Sequence, residues 1–197
     1  MKKKFLIPIM VLILVIGAIG GTLAWLYDTT GPVTNTFTVG KVDIDLNETD
    51  QNDSGKTTME NSYKLIPGKE YSKDPKVTVT AESENSWVFV KVEKMNNIDS
   101  LIDYKIRLDQ GEWSALTGHP DVYYREYTGP EAATYYVLKG SEDNPNGCVT
   151  IKSGLTNEDL TKVTGNPQLK FTAYAIQKDG FDTPEAAWKE VSKPNGN

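Results

Sequence analysis

The sequence predicts an all-β fold, specifically a jelly-roll-like antiparallel β-sandwich with one or two short helices. Apolar and polar residues alternate in several short runs, which is typical of strands that bury one face. Turn residues such as Gly, Pro and Asn separate these runs at short intervals, and only two segments carry helix signals. Because the sequence shows no internal repeat, we expect one β-rich domain over residues 25–192.

The first predicted strand covers residues 41–47, where apolar side chains occupy every second position. Residues 48–62 are mostly Asn, Asp, Ser, Gly and Thr, and they predict a polar loop. The pair Pro67-Gly68 predicts the turn that ends this region.

The strongest strand signal lies at residues 86–93, after a predicted strand at 76–80. Three alternate valines form one face of this strand, and Trp87 and Phe89 begin the other face. Both faces are therefore partly apolar, which is typical of a strand at the centre of a sandwich.

Two hairpins are predicted in the middle of the chain. The first joins residues 104–108 to Gly111–Trp113, and the second joins 122–127 to 134–138 across Gly129-Pro130. Later strands are predicted at 148–151 and 169–177.

Short helices are predicted at residues 155–160 and 182–191. The second has capping residues and a proline, Pro184, in its first turn, both of which favour a helix start. The polar tail at 193–197 is expected to be disordered.

Residues 1–24 have the three-part layout of a secretory signal peptide. Lys2–Lys4 provide the basic start, residues 5–19 are almost wholly apolar, and small residues precede a predicted cut between Ala24 and Trp25. A retained membrane anchor is the alternative, because the apolar stretch approaches the roughly 20 residues that span a bilayer.

Removal of residues 1–24 would make the chain more acidic. Lys+Arg would fall from 21 to 18 while Asp+Glu stays at 27, so the net charge would change from −6 to −9. Such a charge argues against nucleic acid as a partner, since phosphates would be repelled. The single cysteine, Cys148, cannot form an internal disulfide.

Three sequence motifs resemble those of the TasA/camelysin family, which consists of exported Gram-positive proteins processed by a SipW-type signal peptidase. They are Gly20-Gly21-Thr22-Leu23-Ala24 followed by Trp25-Leu26-Tyr27-Asp28, Asn35-x-Phe37-x-x-Gly40-x-x-Asp43, and Leu65-x-Pro67-Gly68. The similarity covers residues 17–46 and 63–75, less than a third of the chain. Leu26 and Val39 depart from the common pattern, which has an aromatic residue and alanine at those positions.

The resemblance implies a secreted structural protein, either a subunit or an accessory component of an extracellular biofilm-matrix fibre. Cleavage would free a donor segment, residues 25–40, that pairs with the sheet of the next subunit. The alternative is that residues 34–46 are the protein's own first strand. The membrane would be contacted only through the uncleaved signal segment. The apolar residues expected to carry the donor segment are Trp25, Tyr27, Val33, Phe37 and Val39.

The sequence gives little support for an enzyme. A camelysin-like surface protease would need a cluster of metal ligands, but His119 is the only histidine and there is no His-Glu-x-x-His motif. A cysteine nucleophile would require the pair His119 and Cys148. Asp43-x-Asp45-x-Asn47, followed by Glu48, Asp50, Asn52 and Asp53, faintly resembles a calcium loop without its Gly and Glu. Alternation explains Asp43 and Asp45 as the solvent face of a strand, and weak calcium binding by the loop that follows is the alternative. We therefore expect no catalytic residues and no cofactor.

Tyrosines offer a second functional hypothesis. The chain has ten, and four of them could form a surface on which carbohydrate or a host protein binds a monomeric cell-surface module. The alternative is that these rings pack the sandwich and its edges. The four residues are Tyr123, Tyr124, Tyr135 and Tyr136.

Overall fold

The computed structural model describes residues 40–109 and 111–193. Within them the chain forms eleven strands in three sheets, and all strand pairings are antiparallel. The predicted fold class, an antiparallel all-β sandwich with short helices, is confirmed. The predicted signal peptide at 1–24 lies outside the described residues.

The strands and helices are numbered in chain order. The strands are β1 (Ile44–Thr49), β2 (Thr57–Thr58), β3 (Glu70–Ser72), β4 (Lys76–Val79), β5 (Ser86–Met95), β6 (Ile102–Asp103), β7 (Ser114–Ala115), β8 (Val122–Tyr127), β9 (Ala133–Tyr136), β10 (Cys148–Ile151) and β11 (Gln168–Gln177). The helices are a 3-10 turn at Ile98–Ser100, α1 (Asn157–Thr161) and α2 (Pro184–Val191).

Two four-stranded sheets form the sandwich, and a three-stranded sheet lies beside them. The strand orders are β2-β1-β4-β9 and β11-β5-β8-β7, with β3-β10-β6 as the third sheet. The longest pairing joins β11 to β5 over ten residues, from Gln168 opposite Met95 to Gln177 opposite Ser86.

The main core lies between the two four-stranded sheets and confirms the prediction for β5. Alternate valines of this strand enter the main core, while Trp87 and Phe89 pack on the opposite face against α2. There the rings of Phe89 and Trp188 lie 5.3 Å apart. The buried residues of the main core are Val77, Val79, Val88, Val90, Val92, Trp113, Tyr127 and Val137.

Both predicted helices form, and each begins after a threonine cap. The side chain of Thr156 accepts a hydrogen bond from the Asp159 amide at the start of α1, and Thr183 does the same for the Ala186 amide at the start of α2. Helix α2 then buries Ala187 and Trp188 against the sheet.

The hairpin predicted across Gly129-Pro130 is wrong. Strand β8 pairs with β5 and β7, whereas β9 pairs with β4 in the other sheet, so this connection crosses the sandwich. The approach is tight, because a Cβ on Gly129 would lie 2.6 Å from the Ser83 carbonyl oxygen. The same sequence pattern, two strands joined by turn residues, fits both a hairpin and a connection between two different sheets.

The hairpin predicted from residues 104–108 to Gly111–Trp113 forms only in part, because the Trp113 amide donates to the Arg107 carbonyl at 3.1 Å but no strand covers 104–108. Only Ile106 forms an isolated bridge there, to Leu138, and the regular strand is β6, which pairs with β10. The predicted loop at 48–62 contains a short hairpin, since Thr49 of β1 pairs with Thr57 of β2.

Candidate functional site

The feature that stands out for function is the outer edge of β11. This ten-residue strand pairs with β5 along one edge. Within residues 40–109 and 111–193, no strand pairs with its other edge. Unpaired backbone groups on a sheet edge are a template for another extended segment.

The backbone groups that face the open edge can be assigned from the hydrogen bonds of β5. The Val92 amide donates to the Asp121 carbonyl at 2.8 Å, on the β8 side of the sheet. In an antiparallel pair, two opposite residues either exchange both backbone hydrogen bonds or direct their N–H and C=O groups away from each other. Phe171 lies opposite Val92, so its N–H and C=O point away from β5. Alternation extends this assignment to Leu169, Phe171, Ala173, Ala175 and Gln177.

The side chains of β11 are incompletely covered on both faces. Residues 171–176 are all half-buried, whereas residues 86–90 of the neighbouring β5 are all buried. The only charged side chain of β11 is Lys170, which lies 4.0 Å from Glu93 near the beginning of the strand. Lysine on an edge discourages pairing, so the remainder of the strand, residues 171–177, is the more open part.

The other edges in the described residues are shorter or blocked. Strands β2, β3, β6 and β7 have two or three residues each. The Tyr136 carbonyl of β9 accepts from the Trp113 indole at 2.9 Å, and the Val137 carbonyl accepts from the Arg107 amide at 2.9 Å. Strand β1 pairs with β2 only at its last two residues, which leaves four residues free on that side in the described part of the chain.

The chain enters the described fold close to one end of β11. The Lys41 carbonyl accepts from the Glu84 amide at 2.8 Å, and Glu84 lies two residues before Ser86, the partner of Gln177. Lys41 therefore lies near the end of the sheet where β11 finishes at Gln177. The predicted cleavage residues Ala24 and Trp25, and the predicted donor residues Tyr27, Val33, Phe37 and Val39, lie outside the described residues.

The four tyrosines of the predicted binding surface are half-buried and do not share one face. Tyr123 and Tyr135 pack against the main core, whereas Tyr124 packs on the opposite face of its sheet, 5.9 Å from Trp87. Tyr136 lies between Lys76 and Arg107, with their charged groups 6.0 and 5.7 Å from its ring. Binding through the tyrosines stays a prediction. The four rings do not form one shared patch, so each ring would have to contact a ligand separately.

Tyr123 also lines an open depression of about 470 Å³ that the sequence did not indicate. Tyr104, Lys94 and Asp121 lie in the same wall, and the Lys94 ammonium is 2.8 Å from an Asp121 oxygen. This hydrogen bond raises the pKa of Lys94, and burial raises the pKa of Tyr104 and Tyr123. The depression therefore presents neutral phenols beside a fixed ion pair.

His119 and Cys148 lie in different surroundings. The exposed imidazole of His119 lies 6.3 Å from the Trp188 ring, whereas the Cys148 thiol donates to the Lys139 carbonyl at 3.7 Å. Burial, followed by the nearby Glu70 carboxylate, raises the pKa of Cys148. A raised pKa keeps the thiol protonated, which opposes a nucleophilic role.

The acidic residues near β1 are engaged with close neighbours. The Asp43 carboxylate pairs with the Lys41 ammonium at 2.9 Å, and the Asp45 carboxylate accepts from the side-chain amide of Asn47 at 2.5 Å. In the part of the chain that the structure describes, no three His, Cys, Asp or Glu side chains group in a way that could hold a metal ion.

Comparison of the chain with family models, with curated proteins and with solved structures finds no match in any of the three. The similarity to the TasA/camelysin family therefore stays a prediction. Among the described residues, no helix is both long and apolar enough to cross a membrane.

Proposed function

We propose that this chain is a secreted structural protein, a subunit or accessory component of an extracellular fibre, that assembles by strand addition. The observation that carries the proposal is the open outer edge of β11, ten residues long and half-buried on both faces. We propose as its occupant residues 25–39 of a neighbouring copy, the part of the predicted donor segment 25–40 that precedes the described residues.

The reach of this segment fits the edge. Fifteen extended residues span about 50 Å, whereas the ten residues of β11 span about 33 Å. Because the chain enters the fold beside Glu84, near the Gln177 end of β11, the same segment could serve its own edge or that of a neighbour. The two outcomes differ in oligomeric state and can be separated by experiment.

The side chains of the segment also suit the site. Val33, Phe37 and Val39 fall on one face of an extended strand, since they are separated by even numbers of residues. In one of the two alternating registers of addition at β11, that face lies over the core side of the sheet. Burying one Phe and two Val contributes about 6 kcal/mol before the entropic cost of ordering the segment is subtracted.

Signal cleavage would control assembly in this scheme. An uncleaved signal segment ending at Ala24 would keep residues 25–39 tied to the membrane. Cleavage by a SipW-type peptidase would free the segment to reach another copy in the extracellular matrix or at the cell surface. In this proposal the edge performs no catalysis and needs no cofactor.

The test compares two forms of the protein, one starting at Trp25 and one starting at Gly40. We expect the longer form to make filaments in electron microscopy and concentration-dependent oligomers in size-exclusion chromatography. The shorter form should stay monomeric and bind a synthetic peptide of residues 25–39. The matched control is the same peptide with Phe37→Asp and Val39→Asp, which should not bind.

Two outcomes would contradict strand donation between copies. A monomeric longer form, together with peptide binding by the shorter form, would assign the segment as the protein's own strand. If the peptide also failed to bind, the β11 edge would not be its site at all.

A second function is favoured by the depression beside Tyr123. Two half-buried phenols next to a Lys94–Asp121 ion pair form a surface that suits the stacking and hydrogen bonding of a sugar ring. A monomeric cell-surface binding module should therefore bind glycans through it. Loss of glycan-array binding in Tyr104→Ala and Tyr123→Ala, but not in Tyr136→Ala, would support this alternative.

A further inference from the structure

A buried polar cluster lies where β1, the loop after β2 and the end of β3 meet. Glu48 and Lys73 are only 6% and 9% exposed, and the Lys73 ammonium lies 2.8 Å from Glu48 Oε2. The other oxygen of the same carboxylate, Oε1, accepts from the Asn61 side-chain amide at 2.9 Å. One carboxylate therefore holds an amine and a carboxamide side by side.

The orientation of the Asn61 carboxamide is fixed by its other partners. Its Oδ1 accepts from the Gln51 amide at 2.9 Å, and its Nδ2 also donates to the Thr49 carbonyl at 2.9 Å. A reversed carboxamide would place donor against donor and acceptor against acceptor. The Gln51 N–H is thus placed to stabilise negative charge on Oδ1 if a nucleophile attacks Cγ.

Aromatic rings shield the Lys73 amine from water. Its Nζ lies 5.3 Å from the centre of the Tyr63 ring and 5.6 Å from that of Phe171. Burial, and then the charges of Glu48 and Asp74, raise the pKa of Tyr63, so this phenol stays neutral. Ions removed from water are costly, and a proton passing from Nζ to Glu48 would replace an ion pair by a neutral amine and a neutral acid.

We propose that Lys73 and Asn61 form an intramolecular isopeptide bond, with Glu48 as the catalytic proton carrier. The Lys73 amine, deprotonated by Glu48, attacks Cγ of Asn61, and a bond forms between Nζ and Cγ. Glu48 delivers the proton that it took to Nδ2, the Cγ–Nδ2 bond breaks, and ammonia leaves. Glu48 then takes the second proton from Nζ, so that the new amide nitrogen keeps one hydrogen, and passes this proton to the departing ammonia. The balance is one amine plus one carboxamide giving one secondary amide and one ammonia, with no oxidant or reductant.

The bond would act as a covalent staple. It joins positions twelve residues apart and ties the segment after β2 to the end of β3, which belong to different sheets. A cross-link restrains the unfolded chain in the manner of a disulfide. With one cysteine in the sequence, the chain cannot make an internal disulfide.

The decisive measurement is the intact mass of the purified protein, compared with the sequence mass of the same form, with or without residues 1–24. We expect it to be lower than the mass from the sequence by one ammonia, about 17 Da. Proteolysis should release a branched peptide in which the fragment containing Asn61 is joined to the fragment containing Lys73. Tandem mass spectrometry of that peptide locates the bond and distinguishes it from ammonia loss elsewhere.

Variants separate the three roles. Lys73→Arg and Asn61→Ala remove one reactant each, and Glu48→Gln keeps both reactants but removes the proton carrier, so all three should show the unmodified mass. The matched control is Lys76→Arg, because Lys76 is a neighbouring, largely buried lysine near Asp74 and should keep the deficit.

Full sequence mass in the folded wild-type protein would overturn the proposal and leave the cluster as a non-covalent salt bridge. A deficit that persists in Lys73→Arg would overturn it as well. The wild-type measurement stands alone, so the test remains decisive even if a variant fails to fold.

Discussion

The assignment of the β11 edge predicts opposite effects for proline at two adjacent positions. The Ala173 N–H faces the open edge, whereas the Thr172 N–H faces Lys91 of β5. Proline has no N–H, and its ring fills the space beside the strand. Ala173→Pro should therefore impair strand addition and spare the fold, while Thr172→Pro should damage the fold itself.

The size of both effects follows from the strand geometry. At position 173 the added strand loses one hydrogen bond, worth about 1 kcal/mol net, and meets a ring within the roughly 4.8 Å spacing between strands. A total near 3 kcal/mol weakens association about 150-fold, since each 1.4 kcal/mol is a factor of ten. At position 172 a similar amount, about 3 kcal/mol, should be lost from the free energy of unfolding.

Two assays read these outcomes independently. Electron microscopy and sedimentation across a concentration series measure assembly of the form starting at Trp25, and chemical denaturation of the form starting at Gly40 measures stability. Filaments of Ala173→Pro at the wild-type threshold concentration, with an intact fold, would refute the use of this edge. Equal destabilisation by both prolines would refute the assigned alternation.

The remaining predictions concern stability and pH. Gly129→Ala should lower the free energy of unfolding by about 1–3 kcal/mol, because its Cβ would collide with the Ser83 carbonyl oxygen. The control is Gly154→Ala, which has no atom within 4 Å of the added Cβ and should change the free energy of unfolding by less than about 0.5 kcal/mol. Trp188→Ala should cost about 3–5 kcal/mol and release α2 from the sheet, measurable by denaturation and by amide exchange of the helix. Glu70 accepts hydrogen bonds from Ser141 at 2.6 Å and from Asn144, and these bonds lower its pKa. Because the pKa of Glu70 is lower in the folded than in the unfolded chain, its ionised carboxylate stabilises the fold at pH values above the unfolded pKa, and this stabilisation is lost as the pH falls through the folded pKa. Glu70→Gln should therefore be less stable than wild type at neutral pH and equally stable in acid.

The sequence predicted the central strand because the pattern that identifies it, apolar residues at consecutive positions, lies within the strand itself. In residues 86–93 three valines alternate with Trp87 and Phe89, and the structure places these two sets on opposite faces of β5. Burial on both faces requires apolar residues at consecutive positions, which a single sequence displays directly.

The wrong hairpin across Gly129-Pro130 shows what local sequence patterns cannot predict. Residues 122–127 and 133–136 both form strands, yet they belong to different sheets. Their partners, β5 and β4, come earlier in the chain, and nothing in the strands themselves specifies those partners. The buried Tyr127, whose hydroxyl donates to the Glu131 carbonyl at 2.8 Å, anchors the crossing by a contact that only the folded chain reveals.

The buried cluster was hidden for the same reason. Glu48 and Asn61 lie at the two ends of a polar stretch that reads as a solvated loop, and Lys73 lies twelve residues further on. The pairing of β1 with β2 brings Asn61 beside Glu48, and the pairing of β1 with β4, which starts at Lys76, brings Lys73 there. A charged residue in a polar run carries no sign that it will be buried.

The composition of β11 is the strongest argument that a strand is missing beside it. Strands on a solvent-facing edge are usually short or charged, because a long apolar edge invites association. Yet β11 has ten residues, a single charge at Lys170, and apolar side chains on both faces, as a central strand would. The mismatch between this composition and its position at an edge of the described sheet is resolved if an added strand makes β11 internal. Residues 25–39 of the same chain or of a neighbour have the length and alternation to do so, and the oligomeric state of the form starting at Trp25 decides which copy supplies them.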